Sequence, residues 1–359
     1  MSRRVRLLFF AAGLALLALL ITRVGARTLL GDLRRAGWAL VPIMLLWAGV
    51  YALNTVAWLL LVPPDRDGGG DEALGGRARR IPFARAYALS VASFALNYVT
   101  PFVALGGEAL RAHAAAGWVG RRRAAVSTVA FRVVHTGGQL MFWLLTVPIA
   151  AALLPRTPAS VALLALVSVV LLTGVVLLGA ALRARTLERM LDALPRVPLL
   201  RRLTPALERR RPELLALDAE LAAVVRERPA RAAAALAIEA AGRFLGALEF
   251  ALIGRSIGEP VSVGAAWVIA SFSQLVMNML FFVPFELGAK EGGLFAVFRL
   301  LGHAPHVGVY GAVVSRLREI AWITIGLVAI WLGAARSNGD VAPSASVNHG
   351  RRGGSPPGY

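Results

Sequence analysis

Apolar residues fall in long runs in this chain, separated by short polar stretches. Such runs match the length a helix needs to cross the roughly 30 Å hydrocarbon core of a bilayer. Leu7–Ile21, Trp38–Val62, Ala124–Leu154, Val161–Leu182, Ala232–Ile253 and Gly308–Leu332 are read as spans of this kind. Trp38 and Trp58 stand near the ends of the second as interfacial anchors. Two further apolar segments, Ile81–Ala104 and Val261–Phe285, run into interrupted motifs. The first motif reads NYVTPFVALGGEALR over Asn97–Arg111, and the second reads FVPFELGAKEGGL over Phe282–Leu294. The pattern predicts an all-α polytopic membrane protein. It has six to eight transmembrane helices, including two broken or re-entrant helical hairpins.

A proline, a glycine pair and a carboxylate at membrane depth leave polar groups that hydrocarbon does not satisfy. They are tolerated where protein or a wet cavity surrounds them. The two motifs also match in spacing. Seven positions separate Pro101 from Glu108 and Pro284 from Glu291. Ser93 and Asn97 precede the first, Ser273 and Asn278 the second, and a span with arginine near its start follows each. Arg132 lies 24 residues past Glu108, and Arg316 lies 25 past Glu291. Duplication is the preferred account, with repeat halves at about residues 81–182 and 232–334.

Charge bears on orientation. The formal net charge is +19, and the loops around residues 63–82, 111–123 and 183–231 are basic. With all three in the cytoplasm, Ile81–Gly117 becomes a re-entrant hairpin and Val261–Leu301 one from the outer side, so the repeats are inverted. Arg23, Arg27, Arg34 and Arg35 then fall outside, which opposes that count. Eight conventional spans are the alternative. The membrane is read as a bacterial-type plasma membrane, with both termini cytoplasmic. Residues 1–335 form one integral domain, and residues 183–231 form a cytoplasmic loop of amphipathic helices such as Pro212–Glu227. Residues 336–359 are a Pro/Gly/Ser-rich tail expected to be disordered.

Composition narrows the chemistry. The chain is 57% hydrophobic and 16% charged, where soluble domains carry about 25% charged residues. Its mean hydropathy is +0.66. The basic loops point to anionic lipid rather than nucleic acid, because no aromatic residue is interleaved with the arginines of residues 183–231. There is no cysteine. No HExxH, phosphate loop or nucleophile elbow occurs, so no catalytic residue, cofactor or metal site is assigned. Asp65, Asp67, Asp71 and Glu72 lack the ligand spacing of a calcium loop.

The candidate cavity residues follow from polarity within apolar spans. Glu108 and Glu291 are placed to bind a cation, pair with arginine, carry a proton or cap a helix start. Arg132 and Arg316 suit lipid phosphate or neutralise those glutamates. Arg111 and Lys290 reach head groups or snorkel to the interface. Arg132, His135 and Gln139 share one helix face that must look inward. Asn97, Pro101, Gly107, Asn278, Pro284 and Arg318 complete the set. Glu239 and Arg243, four apart, either neutralise each other or join the cavity.

The Pro101–Arg111 pattern, the later AVSTVAFRVVHTGG and the PFELGAKEGG element together resemble the membrane region of lysylphosphatidylglycerol synthase/flippases. That region also occurs alone in a flippase-like integral membrane family. The likeness covers Leu7–Ala334. In two-part members it implies movement of aminoacylated phospholipid between leaflets. The aminoacyl-transferase domain has no counterpart in these 359 residues, so synthase activity is not carried over. Where the family has a glycine-rich turn after the second proline, this chain has Phe285-Glu286, which adds Glu286 to the candidates. The reading is a lipid transporter handling anionic or aminoacylated phospholipid. Its alternatives are a membrane-embedded lipid-modifying enzyme and a non-transporting scaffold of a partner enzyme.

Overall fold

The computed structural model describes residues 34, 37–64, 80–99, 106–183, 192, 208–209, 211–279 and 289–339. Those residues are helical or connecting, with no strand among them. The expected span Leu7–Ile21, most of the 63–80 loop, and residues Pro101, Pro284 and Glu286 lie outside the described residues.

The helices are α1 (Leu40–Leu60), α2 (Phe83–Val99), α3 (Gly106–Val119), α4 (Arg121–Leu153), α5 (Pro158–Arg183) and α6 (Arg211–Glu227). They continue with α7 (Pro229–Ala247), α8 (Glu249–Ser256), α9 (Val263–Met279), α10 (Ala289–Leu300) and α11 (Pro305–Gly339). By length and composition, Leu40–Leu60, Arg121–Leu153 and Pro158–Ala180 suffice to cross a membrane, and Val263–Asn278 is a shorter apolar helix. Helices α7 and α11 carry charge within their apolar stretches, Glu239 and Arg243 in the first and Arg316, Arg318 and Glu319 in the second. The outer face of α11 is apolar all the same: Ile325, Val328 and Trp331 are exposed. On α5, Leu166, Val169, Val176 and Leu177 are each more than 60% exposed. A helix that bare of polar cover calls for lipid around it.

Helix α2 packs on α11, α7 on α1, and α4 lies against α3, α7, α9 and α5. A helix pair separated by a short gap, followed by a long helix, occurs twice: α2–α3 before α4, and α9–α10 before α11. The expected span Ala232–Ile253 is helical but for one irregular residue, Leu248. Leu248 N–H bonds to Leu245 O at 3.1 Å, a tight turn that ends α7 and starts α8 at Glu249. Helix α11 runs to Gly339, into the stretch read as tail. Outside the spans, α6 forms where Pro212–Glu227 predicted an amphipathic helix, and Glu220 pairs with Arg122 at the start of α4.

The core is layered along the helix axes. One apolar cluster holds Ile43, Phe142, Ala247, Ile269 and Phe298. Another holds Trp58, Leu61, Val119, Phe131 and Ala235. On α1, α4 and α7 alike, polar residues lie between these clusters: Asn54, His135 and Glu239.

Candidate functional site

Between the two clusters lies a cavity of about 370 Å³. Three carboxylates (Glu239, Glu249, Glu319) and three cations (Arg243, Lys290, Arg318) line it. Charges at such a position survive only when paired and hydrogen-bonded, and two networks provide that.

The first joins α4, α7 and α9. His135 Nδ1 lies 2.7 Å from Glu239 Oε2, and Glu239 is 1% exposed. Arg243 Nη2 meets His135 Nε2 at 3.0 Å and donates to the His135 carbonyl at 3.1 Å. Arginine has no acceptor, so Nε2 holds a lone pair and the proton sits on Nδ1, donated to Glu239. His135 is therefore neutral, a hinge between an anion and a cation. Arg243 also donates to Gln139 Oε1, and Gln139 Nε2 donates to Gln274 Oε1 at 2.7 Å. With its amide nitrogen turned toward the carboxylate, Asn54 of α1 donates to Glu239 Oε1 at 3.1 Å. The network depends on a close helix crossing. A Cβ on Gly138 would lie 2.8 Å from Glu239 Cβ, so glycine lets α4 approach α7 closely enough for these bonds.

The second network joins α1, α2, α8, α10 and α11. Glu319 accepts from Lys290 Nζ at 2.6 Å, from Arg318 Nη2 at 3.3 Å and from Tyr98 at 3.3 Å. Arg318 Nε donates to Glu249 Oε1 at 3.2 Å. Trp47 Nε1 donates to Glu249 Oε2 at 2.9 Å, and the Arg318 guanidinium lies 3.8 Å over the Trp47 ring.

Some donors remain open. Among the described residues, the Tyr51 and Ser315 hydroxyls and Arg243 Nε are buried with no hydrogen-bond partner, and all three residues line the cavity. Buried donors without acceptors are uncommon and invite a ligand or ordered water that accepts.

The depth of the cavity follows from a second one. At one end of the bundle, an open pocket of about 660 Å³ lies among Arg80, Arg123, Arg228, Arg231 and apolar neighbours. Twelve residues separate Leu59 from Trp47 on α1, Arg123 from His135 on α4, and Arg231 from Arg243 on α7. At 1.5 Å per residue each step is about 18 Å. The charged cavity thus lies about 18 Å from the basic end along the helix axes.

Of the residues picked from sequence, His135, Gln139, Asn278, Lys290 and Arg318 come together in the cavity. The other described ones do not line it. Asn97 Oδ1 accepts the Gly107 N–H at 2.8 Å, closing the α2–α3 hairpin. Glu108 meets Arg132 at 3.1 Å, with the Arg132 side chain half exposed. Arg111 is buried between the rings of Trp58 and Phe131, at 4.9 and 4.4 Å. Arg316 is 3% exposed. Glu291 is in α10, with its side chain outside the described residues. Glu239 and Arg243, left between mutual neutralisation and the cavity by the sequence, line it. The sequence-based set lacks Glu249, Glu319, Gln274 and Trp47, and a signal existed for Glu249 and Glu319, which are charges inside apolar stretches.

Residues 5–327 match the family model described as the lysylphosphatidylglycerol synthase TM region, so the chain belongs to that family. No curated protein and no solved structure matches it.

Proposed function

We propose that this member of the lysylphosphatidylglycerol synthase TM-region family moves phospholipid or lipid-linked head groups between membrane leaflets. The head group crosses through the charged cavity while its acyl chains stay in lipid. The observation that carries this reading is the cavity itself: paired charges inside a bundle of apolar helices, with three unpartnered donors among the residues that line it. Phosphate oxygens are acceptors only and match such donors. The chain holds no phosphate loop, so movement runs without ATP hydrolysis of its own. Residues 81–182 and 232–334 are the two repeat halves, each with a re-entrant hairpin, and they rock against one another around the cavity. Six to eight helices span a bacterial-type inner membrane. The arginine-lined end and both termini face the cytoplasm, following the positive-inside rule. The cargo is anionic or aminoacylated phospholipid.

The test exploits the open hydroxyls. Because neither has a hydrogen-bond partner among the described residues, the double variant Tyr51→Phe, Ser315→Ala should melt like the wild type. In proteoliposomes carrying a head-group-labelled phospholipid and a leaflet-specific quencher, it should move lipid about tenfold more slowly. That corresponds to two lost hydrogen bonds of about 0.5–1.5 kcal/mol each. Wild-type rates in a folded double variant would remove the cavity from the transport path.

A further inference from the structure

The arginine-lined cavity at the end of the bundle is distinct from the transport cavity and about 18 Å away along three helices. Its wall has two characters. Arg80, Arg123, Arg228 and Arg231 supply four guanidinium groups, and no acidic residue is among the described residues that line it. Beside them Leu59, Val62, Ile81 and Val119 supply an apolar wall. Arg123 is held in place, since its Nε and Nη2 donate to the Pro63 carbonyl at 2.9 and 2.6 Å. Two helices also begin here, α4 at Arg121 and α7 at Pro229, and neither start has a side-chain cap. Their positive dipole ends add to the field of the arginines.

We infer that this cavity is a resident site for the phosphate head group of an anionic phospholipid. Guanidinium groups bind phosphate oxygens bidentately. With Arg123 engaged at the Pro63 carbonyl, the other three match a head group with two phosphates better than one with a single phosphate. The apolar wall selects an amphiphile over a free polyphosphate, because only a lipid brings a glycerol and acyl stem to cover it. Basic pockets between transmembrane helices at the cytoplasmic face have this composition where they hold anionic lipid. The site is independent of lipid movement and holds whether or not the protein transports.

The experiment uses the full purified chain in phosphatidylcholine nanodiscs doped with a two-phosphate lipid, a one-phosphate lipid or neither, with retained lipid read by native mass spectrometry. Soluble pyrophosphate is added in a separate arm. The two-phosphate lipid should be retained in preference to the one-phosphate lipid, and pyrophosphate should compete weakly. Arg228→Gln, Arg231→Gln should lower retention at least tenfold while leaving the melting temperature and the leaflet assay unchanged. Equal retention by that variant would overturn the site. So would an absence of saturable binding to the wild type, or pyrophosphate displacing lipid at matching concentration, which would mark a polyphosphate site instead.

Discussion

Replacing Glu319 with Gln is expected to cost about 3–5 kcal/mol of stability, because it strips the shared anion from two buried cations. Glu319 accepts from Lys290 at 2.6 Å and Arg318 at 3.3 Å. Arg318 keeps Glu249, whereas Lys290, 7% exposed, is left without a charged partner among the described residues. The uncompensated ammonium is the main cost. Adding Lys290→Met removes it, so the double variant should recover part of the loss. The four melts of that cycle, by tryptophan fluorescence in detergent, should show a coupling of at least 1 kcal/mol, within the range of about 0.5–3 kcal/mol seen for contacting residues. A Glu319→Gln variant as stable as the wild type, or additive losses, would show that water reaches Lys290 freely.

Gly107→Ala is the second large effect. A methyl group at that position would overlap the Ser93 carbonyl oxygen and lie 2.8 Å from the Asn97 amide. Backbone is in the way, so no side-chain rotation relieves the clash. The α2–α3 hairpin must open, and the Asn97–Gly107 bond that closes it breaks. The expected cost is about 1–3 kcal/mol, with a lower melting temperature and easier proteolysis of the hairpin. Gly117→Ala on the same helix is the control. Nothing lies within 4 Å of its added carbon, so it should be neutral or stabilising by up to about 1 kcal/mol.

Local patterns carried much of this architecture. The run lengths of Leu40–Leu60, Arg121–Leu153 and Pro158–Ala180 are visible in hydropathy alone. The GGE motif did mark a special backbone, and Gly107 shows why: it is the tight contact of a hairpin. The inward stripe of His135 and Gln139 was legible because helical periodicity places both on one face. What periodicity does not encode is which stripe meets which. His135 and Glu239 are 104 positions apart, and Trp47 and Glu249 are 202 apart. Those partnerships arise from helix packing, as at the close Gly138 crossing. Glu108 and Arg132 illustrate the same point from the other side. They are matched in the sequence and do pair, but away from the cavity.

The charge balance of the cavity has a consequence for energetics. Three carboxylates face three cations, and His135 is neutral, so the lining carries no net charge. Moving one elementary charge across the membrane potential is worth about 2.3 kcal/mol per 100 mV. On the proposed transport reading, rocking of this lining alone does no electrical work as it resets. The voltage dependence of lipid movement in an ionophore-polarised vesicle then reports the valence of the cargo together with the buried Arg111 and Arg316.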